Sequence, residues 1–432
     1  MLVFVSIFLG LVSGVHPVEL AAGKKVAAVE IRLDGRTLGR LGGLPWQMDV
    51  DFGATPEPHH LEAVGFDASG VEIVRTLQRI NLQKSLAEAS LLLLPGSGGK
   101  GRFARLTWQS MITERPESLI VTFDGAPIAV SDPARIPLPA FVPQQLHFLR
   151  ADLEFPGNNS ASAEITFGGR NRERTQAELT AVPVLTEGKE LPAEREMDGW
   201  FLANGAPVKV VAAEGGAGEI SVVLDEAARG PLKRLVESYQ WSWFKEARTA
   251  APLKKGQSAR FQWTFPEVHE HSGLRFELFP LTKVISSRSD AGFLWVMTHV
   301  FPPGVPDVRR LADAVAVAGL DVSTRSHPRA VLLVLAGSLD TSRLSAAGAR
   351  NFLACLHVPL FVWTVGELGA AEAGVWAAAG DATDISTTAA FEAATKRLVA
   401  LLDRQRIVWV EGAHLPQSIS MSKKASGVTL VR

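Results

Sequence analysis

The sequence predicts a multidomain chain: two β-sandwich modules followed by an α/β doubly wound domain. Three observations carry that expectation. An Asp-Gly hairpin recurs, ordered matches surround it at a near-constant offset, and after the polar stretch Thr186 to Met197 the texture changes to buried apolar runs alternating with amphipathic stretches. Size agrees, because 432 residues exceed one ordinary core, and 47% hydrophobic with 21% charged residues is a globular balance.

The chain opens on the apolar run Leu2 to Val12, as long as the core of a secretory signal and short for a bilayer span. Val12-Ser13-Gly14 fits a cleavage site, so residues 1–14 are expected to form a leader or anchor and the protein to be periplasmic or extracellular. No Lys or Arg precedes the run, which leaves a buried first strand as the other reading.

The first module is placed at 15–98. Val29-Glu30-Ile31-Arg32-Leu33 alternates, turns at Asp34-Gly35 and resumes at Thr37-Leu38. Alternation on both sides of Asp-Gly marks a hairpin, since such turns need positive φ. The second module, 99–190, repeats it: Leu119 to Phe123, Asp124-Gly125, then Pro127 to Val130. Asp51-Phe52-Gly53 with Pro58-His59-His60-Leu61-Glu62-Ala63-Val64 answers to Ala140 to Phe148, and Ala87-Glu88-Ala89 answers to Gln176 to Leu179. Ordered matches of this kind point to two copies of one unit. Between them, Pro95-Gly96-Ser97-Gly98-Gly99-Lys100-Gly101 is superficially a phosphate loop, but Gly101 stands where Ser or Thr is needed and a strand-like run follows, so it reads as a linker.

The third domain is placed at 200–412. Ile220 to Leu224, Val331 to Leu335, Leu360 to Val365 and Ile407 to Val410 read as strands buried on both faces. Helical stripes lie between them: Leu232, Leu235, Val236, Tyr239 and Trp243; Val308, Leu311, Val315 and Ala318; Phe391, Ala394, Leu398 and Leu401. This alternation implies a parallel sheet covered on both sides. Two segments, 259–267 and 274–281, read as further strands, and the polar tail, 413–432, is expected to be loose.

A net charge of -1 with both signs scattered gives no footprint for nucleic acid and no basic run for an anionic membrane. The single Cys355 excludes an intramolecular disulfide and sits in an apolar helical context. His269-Glu270-His271 lacks a third ligand nearby and reads as a loop. His59-His60 opens a strand, and a structural role is the default. Gly-x-Ser-x-Gly, His-Glu-x-x-His and a Gly-x-Gly-x-x-Gly after a strand are all missing from the sequence. Of ten Trp, most fall in strand-like or helix-like apolar stretches and read as core; Trp376, among small residues, is the one expected to be exposed.

Over residues 218–412 the chain resembles a von Willebrand factor A domain, carried by Val222-Val223-Leu224-Asp225-Glu226-Ala227-Ala228-Arg229, Leu311-Ala312-Asp313-Ala314-Val315, and Val331 to Leu335 with Ala336-Gly337-Ser338-Leu339-Asp340-Thr341-Ser342. With Leu33-Asp34-Gly35-Arg36, Pro58 to Val64 and Arg406-Ile407-Val408-Trp409-Val410, it resembles the bacterial VWFA-related proteins, in which repeated small β-domains precede such a domain. The resemblance implies Ig-like sandwiches and a Rossmann-like A domain whose strand-end loops hold Mg²⁺ through oxygen ligands. Here the metal positions are altered. Asp225 matches, Ala227 and Arg229 stand where the family has serines, Arg309 stands for its Thr, and Ala336 stands for its ligand Asp.

No metal and no cofactor is therefore expected. Asp225 is expected to be compensated by Arg309 or Arg229, and a metal-free binding face is expected around Asp225, Arg309, Ser338, Asp340 and Thr341. The function this implies is an exported, non-catalytic binding or scaffolding protein acting on a protein partner, without nucleic acid and without membrane contact beyond the leader. The alternatives are a hydrolase-type enzyme with a site gathered from several loops, and a structural subunit of an envelope assembly.

Overall fold

The computed structural model describes residues 2–6, 8, 11–82, 87–94, 103–110, 115–142, 145–155, 159–168, 179–188, 191–238, 257–271, 274–282, 285–286, 293–299, 309–324, 327–377 and 381–431. The chain divides into two compact units, one of residues 1–83, 181–408 and 414–432, the other of 84–180 and 409–413.

The expected fold class is corrected. Among the described residues strands far outnumber helices, and six small sheets of two to four strands are antiparallel throughout. The chain is a predominantly antiparallel β protein that carries one mixed, helix-flanked sheet. Its β-sandwich parts are not followed by a doubly wound domain. The physical reason lies in the last strand: Gln405–Glu411, expected in the parallel sheet, joins instead a sheet ordered Val210–Glu214, Gln405–Glu411, Leu179–Thr186, Val428–Leu430. An apolar run fixes that a strand is buried, not which sheet buries it.

In the first unit, Leu2–Phe4, Val15–Ala22 and Gln47–Asp51 form one antiparallel sheet, and Arg36–Leu41, Ala28–Leu33, His59–Phe66 and Glu72–Ile80 another. Alternate residues Val29, Ile31, Leu61, Ala63 and Ile80 enter a shared core with Val18, Val50 and Phe52. Asp34 and Gly35 both have positive φ, as the hairpin required. The stretch expected to act as a leader is built into this sandwich: Leu2–Phe4 pairs with 20–22, and Leu2 and Val12 are buried in the core.

The second unit holds a four-stranded sheet, Ala126–Ile128, Ser118–Phe123, Leu146–Phe155 and Asn159–Gly168, and a three-stranded one, Ile136–Pro137, Phe103–Ser110 and Ala87–Leu94. Leu91, Leu106, Val121, Phe123, Ile136, Leu149 and Phe155 form its core. The Asp124-Gly125 turn again has two positive φ angles. The glycine linker of 95–101 and the 176–178 part of the repeat lie outside the described residues.

A third copy of the hairpin went unread in the sequence. Phe201–Ala203 and Ala206–Val208 flank Asn204-Gly205, both with positive φ, and Ile419–Met421 pairs on the other side. The amide of Asn204 donates to Ser418 O at 3.0 Å, as Asp34 does to His60 O at 2.8 Å and Asp124 to Phe148 O at 2.9 Å. The sequence signal was there, since Asn-Gly marks this turn as strongly as Asp-Gly. The tail expected to be loose thus supplies the strands Ile419–Met421 and Val428–Leu430.

The mixed sheet lies in sequence between Val210–Glu214 and Gln405–Glu411. Its order is Ile285–Ser286, Ser258–Gln262, Glu219–Leu224, Arg329–Leu335, Leu360–Thr364, Thr383–Asp384; the first is antiparallel to its neighbour, the others are parallel. Alternate residues face opposite sides. Ile220, Val222, Leu332 and Val334 pack with the helices Arg229–Ser238, Phe293–His299 and Thr388–Arg404 through Leu232, Phe293, Phe391 and Leu398. Val223, Val331, Leu333 and Leu335 pack with Leu311–Ser323 and Ala346–Cys355 through Leu311, Val315, Phe352 and Leu353. Trp376, expected to be exposed, is buried in this second core. Tyr239, Trp243, Val308 and the side chains of His269, Glu270 and His271 lie outside the described residues.

Candidate functional site

Parallel strands deliver their carboxyl ends to one edge of the sheet. Leu224 lies in register with Val334, so the chain leaves the two central strands at adjacent points, Asp225 and Ala336. Asp225 is fully buried. Its amide donates to Val334 O at 3.0 Å, and its carboxylate accepts from the amides of Ala336 at 2.9 Å, Ser338 at 3.1 Å and Ala227 at 3.0 Å, and from the Ser338 hydroxyl. A charge removed from water needs such compensation, and amides fixed by two strand ends supply it without ordering a long side chain.

The expected pairing of Asp225 with an arginine is corrected on that ground. Arg309 Nη2 goes to Glu226 Oε2 at 2.7 Å, and Arg229 is exposed at the start of the helix Arg229–Ser238. Glu226 was not singled out in the sequence; an acid next to Asp225 carries no signal of its own.

The other expected residues meet at the start of the helix Leu311–Ser323. Arg309 bridges Asp340 in parallel, and Thr341 donates to Arg309 O through its amide at 2.8 Å and its hydroxyl at 2.7 Å. Asp340 accepts from the amides of Leu311 at 2.9 Å and Ala312 at 3.2 Å, and from Ser342. That is a helix cap donated by another loop, favourable because a carboxylate meets unsatisfied N–H groups at the positive end of the helix dipole. Asp313 answers in the opposite direction, accepting from the amides of Arg343 at 3.1 Å and Leu344 at 3.0 Å. Arg310 joins Asp313 to Glu277, at 2.6 Å each. Burial works against the Arg310 charge, yet Glu277 and Asp313 hold its proton more tightly than usual; the Arg310 hydrogen bond in turn lowers the Glu277 pKa. Asp313, Arg310 and Ser342 were legible only as parts of a motif, not as partners.

So Asp225, Ala336 and Ser338 come together, Arg309, Asp340 and Thr341 come together, and Glu226 links the two sets. As a cation cradle the donor set does not fit. Mg²⁺ asks for near-octahedral oxygen coordination, whereas the carboxylates of Asp225 and Asp340 are engaged by amides and hydroxyls of their own loops. Among the described residues there is no group of three or more His, Cys, Asp and Glu placed to hold a metal ion.

Two apolar side chains complete the edge. Leu339 is 80% exposed and Leu368 is 69% exposed. The loop that carries Leu339 touches the helix Gly366–Trp376 at Gly337, which at φ +96° leaves no room for a Cβ beside Leu368. Glu372, on the helix Gly366–Trp376, has its pKa raised by burial and then by the negative charges of Asp225 and Asp340. Beyond the strand ends lies a cleft of about 410 Å³ lined by Pro231, Arg234, Leu235, Val365, Gly366, Ser386, Thr387 and Thr388. Its Ser386 hydroxyl donates to Asp384, and its Thr387 hydroxyl caps the helix Thr388–Arg404.

No family model matches the chain. No curated protein matches it either. Among solved structures it is similar to the fibronectin(III)-like modules of Clostridium thermocellum CbhA, at 17% identity over 18% of this chain and 93% of that one, with a TM-score of 0.17. It is similar to a beta-glucuronidase from glycoside hydrolase family 2, at 12% identity over 41% of this chain and 21% of that one, TM-score 0.18. It is also similar to the central fibronectin-III array of RIM-binding protein, at 10% identity over 48% and 79%, TM-score 0.20. Similarity at these TM-scores carries no argument about fold or function.

Proposed function

We propose that the chain is a non-catalytic binding protein that holds a protein partner at the carboxyl-end edge of its mixed sheet, without a cation. One observation carries this reading. Leu339 and Leu368 are both open to solvent at this edge, while the carboxylates of Asp225 and Asp340 are engaged by their own loops. Large apolar side chains grouped at a rigid, polar-rimmed edge are what a protein interface core is made from. An edge meant for chemistry would instead leave acids and bases free to reach a substrate.

The test places a photo-crosslinking phenylalanine analogue at Leu339 and, as a control, at Leu44, which is also exposed. The expected result is an adduct with a second protein from position 339 alone, competed by excess unlabelled chain and lost in Leu368→Asp. Equal adducts from both positions, or indifference to Leu368→Asp, would overturn the reading.

A further inference from the structure

The helix Gly366–Trp376 reads Gly-Glu-Leu-Gly-Ala-Ala-Glu-Ala-Gly-Val-Trp. Its only polar side chains are Glu367 and Glu372, and its apolar residues do not gather on one side. A helix that is apolar all round is ordinarily buried. This one buries only Gly369 and Trp376. Leu368 and Val375, seven residues apart, lie on one face two turns from each other and are 69% and 62% exposed. Glu372 sits between them at i+4 from Leu368 and i−3 from Val375, with Ala371 and Gly374 exposed alongside. Gly337, two residues before the exposed Leu339, packs against Leu368.

Resting on the protein-binding reading above, we propose that this line of Leu368, Glu372 and Val375 seats an α-helix of the partner, which brings an apolar stripe and a Lys or Arg placed opposite Glu372. Spacing supports a helix. Two anchors separated by two helical turns, roughly 10 Å at 1.5 Å per residue, match side chains at i and i+7 of a second helix. Ala371 and Gly374 between the anchors let the two backbones approach closely. Charge then fixes the chemistry. The helix carries Glu367 and Glu372 and no Lys or Arg, so its charge is negative. Covering Glu372 with an apolar face alone would strand a carboxylate away from water, and a cation opposite it removes that cost. The same reasoning excludes a second copy of this chain, because two-fold packing of this helix on itself would press like charges together.

The experiment uses the full chain with the photo-crosslinking residue at Val375, at Leu339 and, as a control on the opposite layer, at Lys396, in the cells that make it. Adduct peptides are identified by mass spectrometry. The expected result is one common partner from positions 375 and 339 and none from 396, with the adduct from 375 falling in a helical segment that has a Lys or Arg within one turn. Glu372→Lys should lower that yield at least tenfold, Glu372→Gln by less, and reversing the partner's cation to Glu should restore it with Glu372→Lys. An adduct from 339 without one from 375, an adduct indifferent to both substitutions, or one made of this chain's own peptides overturns the helical-partner proposal alone. Silence at both 339 and 375 overturns the protein-binding reading with it.

Discussion

His59 Nδ1 lies 2.7 Å from Asp34 Oδ2, and His147 Nδ1 lies the same distance from Asp124 Oδ2. In both cases the other oxygen of the aspartate accepts the amide of the residue after the histidine, His60 at 2.7 Å and Phe148 at 2.8 Å. The Asp of the Asp-Gly turn thus locks its hairpin to the neighbouring strand through one side-chain and one backbone bond. His59 Nε2 also faces Phe52 O at 3.2 Å, and His147 Nε2 faces Val142 O at 2.8 Å. The repeated sequence encodes a repeated clip.

That clip makes stability depend on pH. Burial opposes a charge on His59, but Asp34 outweighs it, with help from Phe52 O and Glu57, and the pKa is raised. A histidine that holds its proton more tightly when folded adds stability that is complete below its unfolded value of about 6.5 and is lost as pH rises through the folded value. His59→Gln should therefore cost about 1 kcal/mol at pH 5.5 and progressively less above neutrality. Denaturant melts at a series of pH values measure this, and a difference constant with pH would refute it.

Asp225 and Arg309 should differ sharply on substitution. Asp225→Ala strands the buried amide of Ala336 and takes the acceptor from the part-buried amides of Ser338 and Ala227, and should cost about 2–3 kcal/mol. Arg309→Ala removes a partly exposed ion pair to Glu226 and should cost about 0.5 kcal/mol. Urea melts of both variants give the ranking, and the reverse order would return Arg309 to the role of compensating Asp225. A calorimetric Mg²⁺ titration should give no binding heat.

Gly337 and Leu368 should be energetically coupled. At φ +96° an alanine is strained, and its Cβ would collide with that of Leu368, so Gly337→Ala should cost about 1–3 kcal/mol. Adding Leu368→Gly should recover part of that loss. A double-mutant cycle reads the coupling directly, and strict additivity would mean that the loop and the helix do not touch.

Starting the chain at Val15 removes Leu2 and Val12 from the first sandwich core and unpairs Leu2–Phe4 from its strand. The shortened chain should be less stable by roughly 3–6 kcal/mol, given about 1.5–3 kcal/mol for each buried Leu or Val. Limited proteolysis compared between the two forms checks it. Equal protection of residues 15–82 would show the first strand to be dispensable.

The sequence by itself determined every feature whose cause is local. Asp34-Gly35 and Asp124-Gly125 turn where they do because both residues can take positive φ, and the predominantly apolar runs at 220–224 and 331–335 are strands buried on both faces. Tertiary structure alone decided the features whose partners come from far along the chain. That Leu2–Phe4 pairs with 20–22, that Gln405–Glu411 joins a sheet other than the parallel one, and that Ile419–Met421 pairs with Phe201–Ala203 all depend on which surface is free to receive the strand. The same holds at the candidate site. Asp225, Arg309, Ser338, Asp340 and Thr341 could be named only through the motif resemblance, but the compensation of Asp225 by amides, the pairing of Arg309 with Glu226 and the exposure of Leu339 and Leu368 follow from where two strand ends and a helix start converge. Periodicity records how much of a side chain must be hidden, and only the folded neighbours record from what.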